Sequence, residues 1–283
     1  MAQQFDPRLL RIGIEVGKEI RWYEGLAIEA SITKTSSASA SNDASIKITN
    51  ISKETRNLIL TETSPWNTLK ARKQIIVEAG RQSYGYSRIF VGDIMAATPS
   101  QPPDIALTLT ARTNSYNKLQ PISKSYTGLV STQKVAQDIA DSMGLTLSFQ
   151  ATSKQVGSYA FTGAKSKQLD RLAELGGVIA YVDDDRLVVL DSGNGLSETQ
   201  KQTNILSLES GMVGIPEVTE QGIKVKMMFE PFSKCGGEIE IKSIINPVAD
   251  GKYIIFKMTY DIANRSDQFY TTLECYKKGR YKK

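Results

Sequence analysis

The chain has 283 residues and no histidine. That absence excludes Ser-His-Asp and Cys-His nucleophile systems, histidine zinc sites and a histidine general base, and it leaves carboxylate pairs, a lysine base or a cysteine-carboxylate metal site as the remaining chemistry. Hydrophobic residues make up 40% and charged residues 23%, with a net charge of +5, which is the profile of a packed chain of about two domains and not of a disordered or strongly nucleic-acid-binding one. No run of about 18 apolar residues occurs, so no transmembrane helix is expected. The start, MAQQFDP, lacks the basic and then apolar profile of a signal peptide. Cys235 and Cys275 read as buried free thiols of a reducing compartment, although their spacing leaves a disulfide open.

From the first residue to about residue 117 the pattern is of strands. Residues 8–16 place Leu10, Ile12, Ile14 and Val16 on one face, and residues 26–33 do the same with Leu26, Ile28, Ala30 and Ile32. A Ser/Ala/Thr/Asn-rich loop spans 35–43, and 45–50 is a short strand. Ser52 caps a short helix carrying Leu58 and Ile59, closed by Pro65 and Trp66. Residues 74–79 and 87–95 form a hairpin about Gly85. After Pro99, Pro102 and Pro103, residues 104–113 alternate again. Six strands and one short helix at this spacing predict a barrel or sandwich.

Residues 118–194 change character. Ser131 starts a helix with Val135, Ile139 and Met143 on one face, ended by Gly144; Leu145, Leu147 and Phe149 then alternate. Ser166 starts a second helix with Leu169, Leu172, Ala173 and Leu175 on one face, and residues 178–182 and 186–190 form a hairpin across Asp183-Asp184-Asp185. This predicts a small α/β insert. From 195 to 283 strands return: 222–229, 238–245, and a long hairpin over 251–276 turning at Asn264-Arg265-Ser266-Asp267, residues that bond their own backbone. The fold class is therefore α+β, mainly β, with β-rich segments at 1–117 and 195–283 flanking the insert.

Each candidate for chemistry has a plainer reading. Asp183, Asp184 and Asp185 have the oxygen ligands a Ca²⁺ or Mg²⁺ takes, but not the spacing of an EF-hand loop, and they read as a solvated hairpin turn. Glu217 with Glu220, or Glu238 with Glu240, supplies the residue types for glycoside hydrolysis, which also needs a defined gap across a cleft. Glu238 and Glu240 alternate with apolar residues as an outer strand face does. Gly211-Met212-Val213-Gly214 lacks the third glycine and the lysine of a phosphate loop. Trp22, Tyr23, Trp66 and Phe90 read as core or interface anchors rather than as a sugar platform. Two basic clusters, Lys70/Arg72/Lys73 and the tail from Lys277 to Lys283, lack the aromatic interleaving of a single-strand-binding surface. No catalytic, cofactor or metal residue is assigned, and no enzyme activity is expected.

Four stretches in order resemble the baseplate hub proteins of contractile-tailed bacteriophages, whose relatives include the hub region of type VI secretion spike proteins. They are SIKITNISKETRNLI (45–59), IIVEAGRQSYGYSRIFVGDI (75–94), YAFTGAKSKQLDRLAELGGVIAYVDDDRLVVL (159–190), and the run from SGMVGIPEVTEQGIKVKMMFEP through the closing hairpin (210–276). Arg81 stands where the family has a tyrosine, and the resemblance implies no role for the basic C-terminal end from Lys278. The resemblance implies two tail-tube-like antiparallel β-barrels per chain, at 1–117 and 195–283. It implies a homotrimer whose six barrels form a pseudo-sixfold ring between the tail tube protein and the spike, beside neighbouring baseplate proteins. The lumen of that ring would pass the tape measure protein or DNA, with transient contact only, and the location would be the tail baseplate of the virion. A tail-associated cell-wall hydrolase using the glutamates, a tube-initiating adaptor without a spike, and a nucleic-acid-binding protein are the alternatives.

Overall fold

A computed structural model describes residues 6–17, 19–37, 41–64, 66–67, 73–118, 120–196 and 204–278. Pro65, Lys70, Arg72, the centre of the 35–43 loop and the basic tail beyond Lys278 lie outside them. Strand accounts for 54% of the chain and helix for 15%, so the chain is mainly β.

The first seven strands are β1 (Arg8–Val16), β2 (Glu19–Tyr23), β3 (Ala27–Thr35), β4 (Asp43–Thr49), β5 (Gln74–Arg81), β6 (Gly85–Pro99) and β7 (Ala106–Arg112). Helix α1 (Lys53–Glu62) follows β4, with the Ser52 hydroxyl accepting the Thr55 N–H. The C-terminal segment contributes β15 (Asn204–Leu206), β16 (Met212–Val218), β17 (Gly222–Met228), β18 (Glu238–Ile241), β19 (Gly251–Ala263) and β20 (Phe269–Lys277). All thirteen join one sheet, whose main path runs β16-β17-β20-β19-β3-β4-β7-β6-β5-β1-β2. The seam between the two ends of the chain is the antiparallel pair β19–β3, from Lys257↔Thr35 to Ala263↔Glu29. The expectation of two barrels thus meets a continuous sheet, and among the described residues no closed barrel is found. The sheet does curl. Arg8 and Arg81 stack over the Phe269 ring at 5.2 and 5.5 Å, and Tyr84 meets Phe232 at 5.7 Å, although five strands separate β5 from β20 along the ladder. The concave side encloses one core that takes residues from both ends of the chain.

Strand parity explains that core. The rows Leu10-Ile12-Ile14-Val16, Ile28-Ala30-Ile32 and Ala44-Ile46-Ile48 all point inward, as a period of two requires. Each fully buried isoleucine among them contributes about 1.5–3 kcal/mol. In β19 the row changes phase. Tyr253 and Ile255 face the core, a bulge between Ile255 and Lys257 inserts one residue, and Met258, Tyr260 and Ile262 then take over. In the turn after β19, Ser266 bonds its own backbone as expected, its hydroxyl accepting the Gln268 N–H at 3.4 Å, whereas Asn264 reaches outward. Asn264 donates to the Leu26 carbonyl at 2.6 Å and accepts the Ile28 N–H at 3.0 Å, which pins the hairpin to the start of β3.

The insert contains α2 (Ser115–Lys118), β8 (Pro121–Ser125), β9 (Leu129–Ser131), α3 (Thr132–Met143), β10 (Thr146–Gln150), β11 (Gln155–Gly157), β12 (Ala160–Ala164), α4 (Lys165–Gly176), β13 (Val178–Asp183) and β14 (Arg186–Asp191). Ser131 caps α3 by accepting the Lys134 N–H, and Gly144 closes it. Ala164, not Ser166, caps α4, and Leu175 is exposed and not on the packed face. The three-stranded sheet β10-β14-β13 packs under these helices around a second core. The hairpin β13–β14 is apolar on both sides. Val178, Ala180, Leu187 and Val189 enter the insert's core, whereas Tyr181, Val188 and Leu190 enter the core of the main sheet.

Seven strands, β2, β8, β9, β11, β12, β15 and β16, were not expected. Exposed β2 has no alternating burial; β9, β11 and β15 have three residues each; β8 and β12 form a partly exposed two-stranded ribbon; β16 is broken by a bulge around Gly214 and Pro216. Strand β18 ends at Ile241 and not at residue 245, so Ile244 is on a loop and not on a strand face.

Candidate assembly surfaces

The glutamates considered for catalysis do not converge. Glu217 lies exposed on β16 opposite Lys224, and Glu220 is exposed in the turn to β17. Glu238 is neutralised by Lys278 at 2.5 Å, and Glu240 stands 3.7 Å from Lys242. A cleft of about 1110 Å³ between the insert and the β19–β20 hairpin is lined by Glu220 and by none of the other three. Its remaining walls are mostly apolar or neutral, including Ala173, Ile179, Val218, Val248 and Phe256. A lone exposed carboxylate in such a cleft does not provide the paired acid and base that glycoside hydrolysis requires.

Cys235 and Cys275 are free and fully buried, and burial pushes both thiols well above their ordinary range, so neither is a thiolate at neutral pH. Gly211 and Gly214 flank the bulged start of β16 and do not precede a helix. Among the described residues, no group of three or more His, Cys, Asp or Glu could hold a metal ion, and no helix is long and apolar enough to cross a membrane.

The Asp183-Asp184-Asp185 turn is where the structure departs most from expectation. It is not a solvated loop. Its first two carboxylates are largely buried against the main sheet, and both clasp the Lys34 ammonium, at 2.9 Å from Asp183 and 2.7 Å from Asp184. Lys34 continues the inward row of β3 after Ile32, so its side chain enters the core and requires counter-charge there. Asp184 also accepts the Val91 N–H at 3.1 Å, and Asn42 donates to the Val182 carbonyl at 3.3 Å. Tyr181 donates to the Cys235 carbonyl at 2.7 Å, tying the same hairpin to the C-terminal segment. Asp185 alone is exposed, 3.9 Å from Arg88.

Burial alone would lower the Lys34 pKa, but the two carboxylates outweigh it and hold the ammonium charged. For Asp183, burial raises the pKa and Lys34, joined by Arg186 and Lys234, more than reverses it, leaving the carboxyl below its ordinary value; for Asp184, burial together with Asp183 prevails and the pKa is raised. The cluster is a mechanical joint between the insert and both ends of the sheet. Its sequence signal was the parity of Lys34, two residues beyond Ile32 in an inward row.

The aromatic candidates divide. Phe90 is in the core. Trp22 lies on β2, where the Arg11 guanidinium sits 4.4 Å from its ring and 4.2 Å from that of Tyr86, with Arg11 also paired to Glu78 at 2.7 Å. Ile20 and Trp22 lean over Gly13, where an added Cβ would meet them at 2.7 and 3.2 Å. Tyr23 packs partly buried against the main core, and Trp66 is exposed.

Two strands, β16 and β2, end the main path of the sheet and, among the described residues, are paired on one side only. Both carry exposed apolar side chains: Ile215 and Val218 on β16, Ile20 and Trp22 on β2. Edges of this kind are liabilities unless something covers them.

A family model described as "Baseplate hub gp41" matches residues 9–275. Solved structures share the fold at low identity. A tail protein from Neisseria meningitidis MC58 is 9% identical with a TM-score of 0.67, over 95% of this chain and 97% of that one. The 43 kDa tail protein of prophage MuSo2 from Shewanella oneidensis is 11% identical with a TM-score of 0.63, over 94% and 98%. An E. coli component of the type VI secretion system, described as structurally similar to the T4 bacteriophage tail proteins gp27 and gp5, is 11% identical with a TM-score of 0.54, over 99% and 76%. No curated protein matches the chain significantly.

Proposed function

Because the chain belongs to the baseplate hub gp41 family, we propose that it is the structural hub of a contractile phage tail, a homotrimeric ring joining the sixfold tail tube to the threefold spike. The observation that carries this reading is the open, curled sheet: thirteen strands whose main path ends, among the described residues, in two one-sided edges, β16 and β2, within a hub family. A chain with one such edge at each end can repeat by head-to-tail contact, which gives a ring where the rotation closes.

In this reading the segments 1–117 and 195–283 act as two tube-like modules, and three chains supply six. The insert at 118–194, joined through Lys34, Asp183 and Asp184, holds the modules in fixed relation. The polar side of the sheet supports a low-adhesion wall for a passing tape measure protein or DNA. It presents cross-strand pairs in place of an unpaired basic row: Lys257 with Glu274 at 2.8 Å, Arg112 with Asp43 at 2.7 Å, and Ser31 bonded to Asp261 at 2.8 Å. Such a surface offers few counterion-releasing phosphate contacts. The neighbours would be the tube protein, the spike or tail-tip protein and other baseplate proteins, and the location the virion.

The test is a reconstruction of the tail tip from particles. The reading expects threefold density for this chain between tube and spike; density confined to a sixfold tube layer without a spike contact would favour the adaptor. The hydrolase alternative has weaker support, since the glutamates do not converge. It requires peptidoglycan turnover that Glu217→Gln or Glu238→Gln abolishes.

A further inference from the structure

We propose that the apolar patch formed by β16 and the 242–249 loop docks on β2 of a neighbouring copy of this chain, so that the two ends of the sheet meet across the subunit boundary. The inference rests on the hub reading and assigns it the contact surfaces.

After β18 the chain enters a short loop held in shape by polar bonds. Asp250 accepts the Ser243 N–H at 2.7 Å, the Ser243 hydroxyl accepts the Asn246 N–H at 3.1 Å, and Asn246 donates to the Pro216 carbonyl at 2.9 Å. The loop therefore sits fixed against β16. It presents Ile244 at 86% exposure, Ile245 at 69% and Val248 at 77%, beside Ile215 and Val218 at 55% and 54%. Val218 and Val248 share the rim of the large cleft, so the patch is continuous from strand to loop. These five side chains expose on the order of 600 Å², most of the roughly 800 Å² per partner in a standard interface and the upper end of what a monomer leaves open. Polar bonds that hold a loop with its isoleucines outward are the reverse of what an isolated subunit needs.

The chemistry of the β16 edge limits the occupant. Pro216 has no N–H and its carbonyl is already taken by Asn246, so another strand cannot continue the ladder across the middle of β16. Contact must come through side chains, from an apolar surface presented by a rigid element. β2 is such a surface: it ends the same sheet, its outer edge is unpaired, and Trp22 is fixed by the Arg11 guanidinium. A braced aromatic is the usual anchor of an interface. Because the patch and β2 are different surfaces of one chain, the contact is heterologous, the kind that a ring of the hub reading repeats.

The test uses the full chain with Ile245→Asp on the patch and Ile20→Asp on β2, folding verified by circular dichroism. Each variant alone is expected to run as a monomer. Mixed in equal amounts they should form 1:1 dimers and nothing larger, because the mixture has one intact patch facing one intact β2. As a second readout, Ile244→Cys with Arg21→Cys should cross-link between chains, since the native thiols are buried. An Ile245→Asp protein that retains the wild-type assembly, an Ile20→Asp protein that does, a mixture that stays monomeric, or no cross-link would each overturn the pairing while leaving a hub with other contacts. A wild-type chain that is itself monomeric at all concentrations would overturn the hub reading.

Discussion

Lys34→Ala should be among the most damaging single substitutions in this chain. It would leave Asp183 and Asp184 buried with their shared cation removed. At 2.9 and 2.7 Å each pair attracts by about 6 kcal/mol at an effective dielectric of 20. Much of that offsets the desolvation of three charges, and breaking a buried pair costs about 3–5 kcal/mol. For a chain of this size, roughly 2–4 °C per kcal/mol gives a Tm lower by about 6–20 °C. Calorimetry measures the drop, and hydrogen exchange at the Val91 amide, which Asp184 accepts, reports whether the junction is the part that opens. Replacing all three residues, Lys34→Met with Asp183→Asn and Asp184→Asn, removes the charges together and should recover most of the loss. A Tm shift below about 2 °C for Lys34→Ala, or a triple variant no better than the single, would refute the assignment of the cluster as a joint. Titration is a poorer probe of the site. Asp183, with its pKa lowered, contributes stability above its unfolded pKa that is lost as pH falls; Asp184, with its pKa raised, acts in the opposite sense.

Other expectations concern single residues. Tyr126, Lys134 and Lys124 surround Asp138 and overcome the effect of burial, bringing its pKa to about 2 from 3.8. The sign follows: this contribution is complete above about pH 4 and disappears as pH falls toward 2. Asp138→Asn should lower stability at pH 7 by about 1–2 kcal/mol and flatten this part of the acid loss, read by near-ultraviolet circular dichroism of the Tyr126–Tyr159 pair. Gly236→Ala should cost about 2–4 kcal/mol, because φ is +82° and the new Cβ would stand 2.7 Å from the Tyr181 hydroxyl and 3.0 Å from Leu190; denaturant unfolding measures it. Asn264→Ala removes the two side-chain bonds that Asn264 adds to the β3–β19 ladder at the start of β3 and should cost about 1–3 kcal/mol, with faster amide exchange at Ile28.

How far the residues alone led can be traced by position. The inward rows of β1 and β3 were visible because a one-faced strand alternates strictly. Ser52 and Ser131 marked helix starts through a local bond needing nothing beyond the next turn. What escaped was set by distant partners. The pairing of β3 with β19, which merges the two ends into one sheet, joins residues more than 200 positions apart and leaves no local trace. The bulge in β19 hides a change of phase inside an apolar run. The acidic turn read as solvated because its cation lies on another strand, and only the parity of Lys34 pointed to it. The expected strand over 238–245 stops at Ile241, because Asp250 and Asn246 bond the following residues into a loop that carries Ile244 and Ile245.

The mass of the purified assembly, measured by native mass spectrometry or analytical ultracentrifugation across a range of concentrations, tests the central claim most directly. Three times the chain mass, without a stable dimer or hexamer, is the predicted result. A hexamer, or a single chain that persists at high concentration, would contradict it.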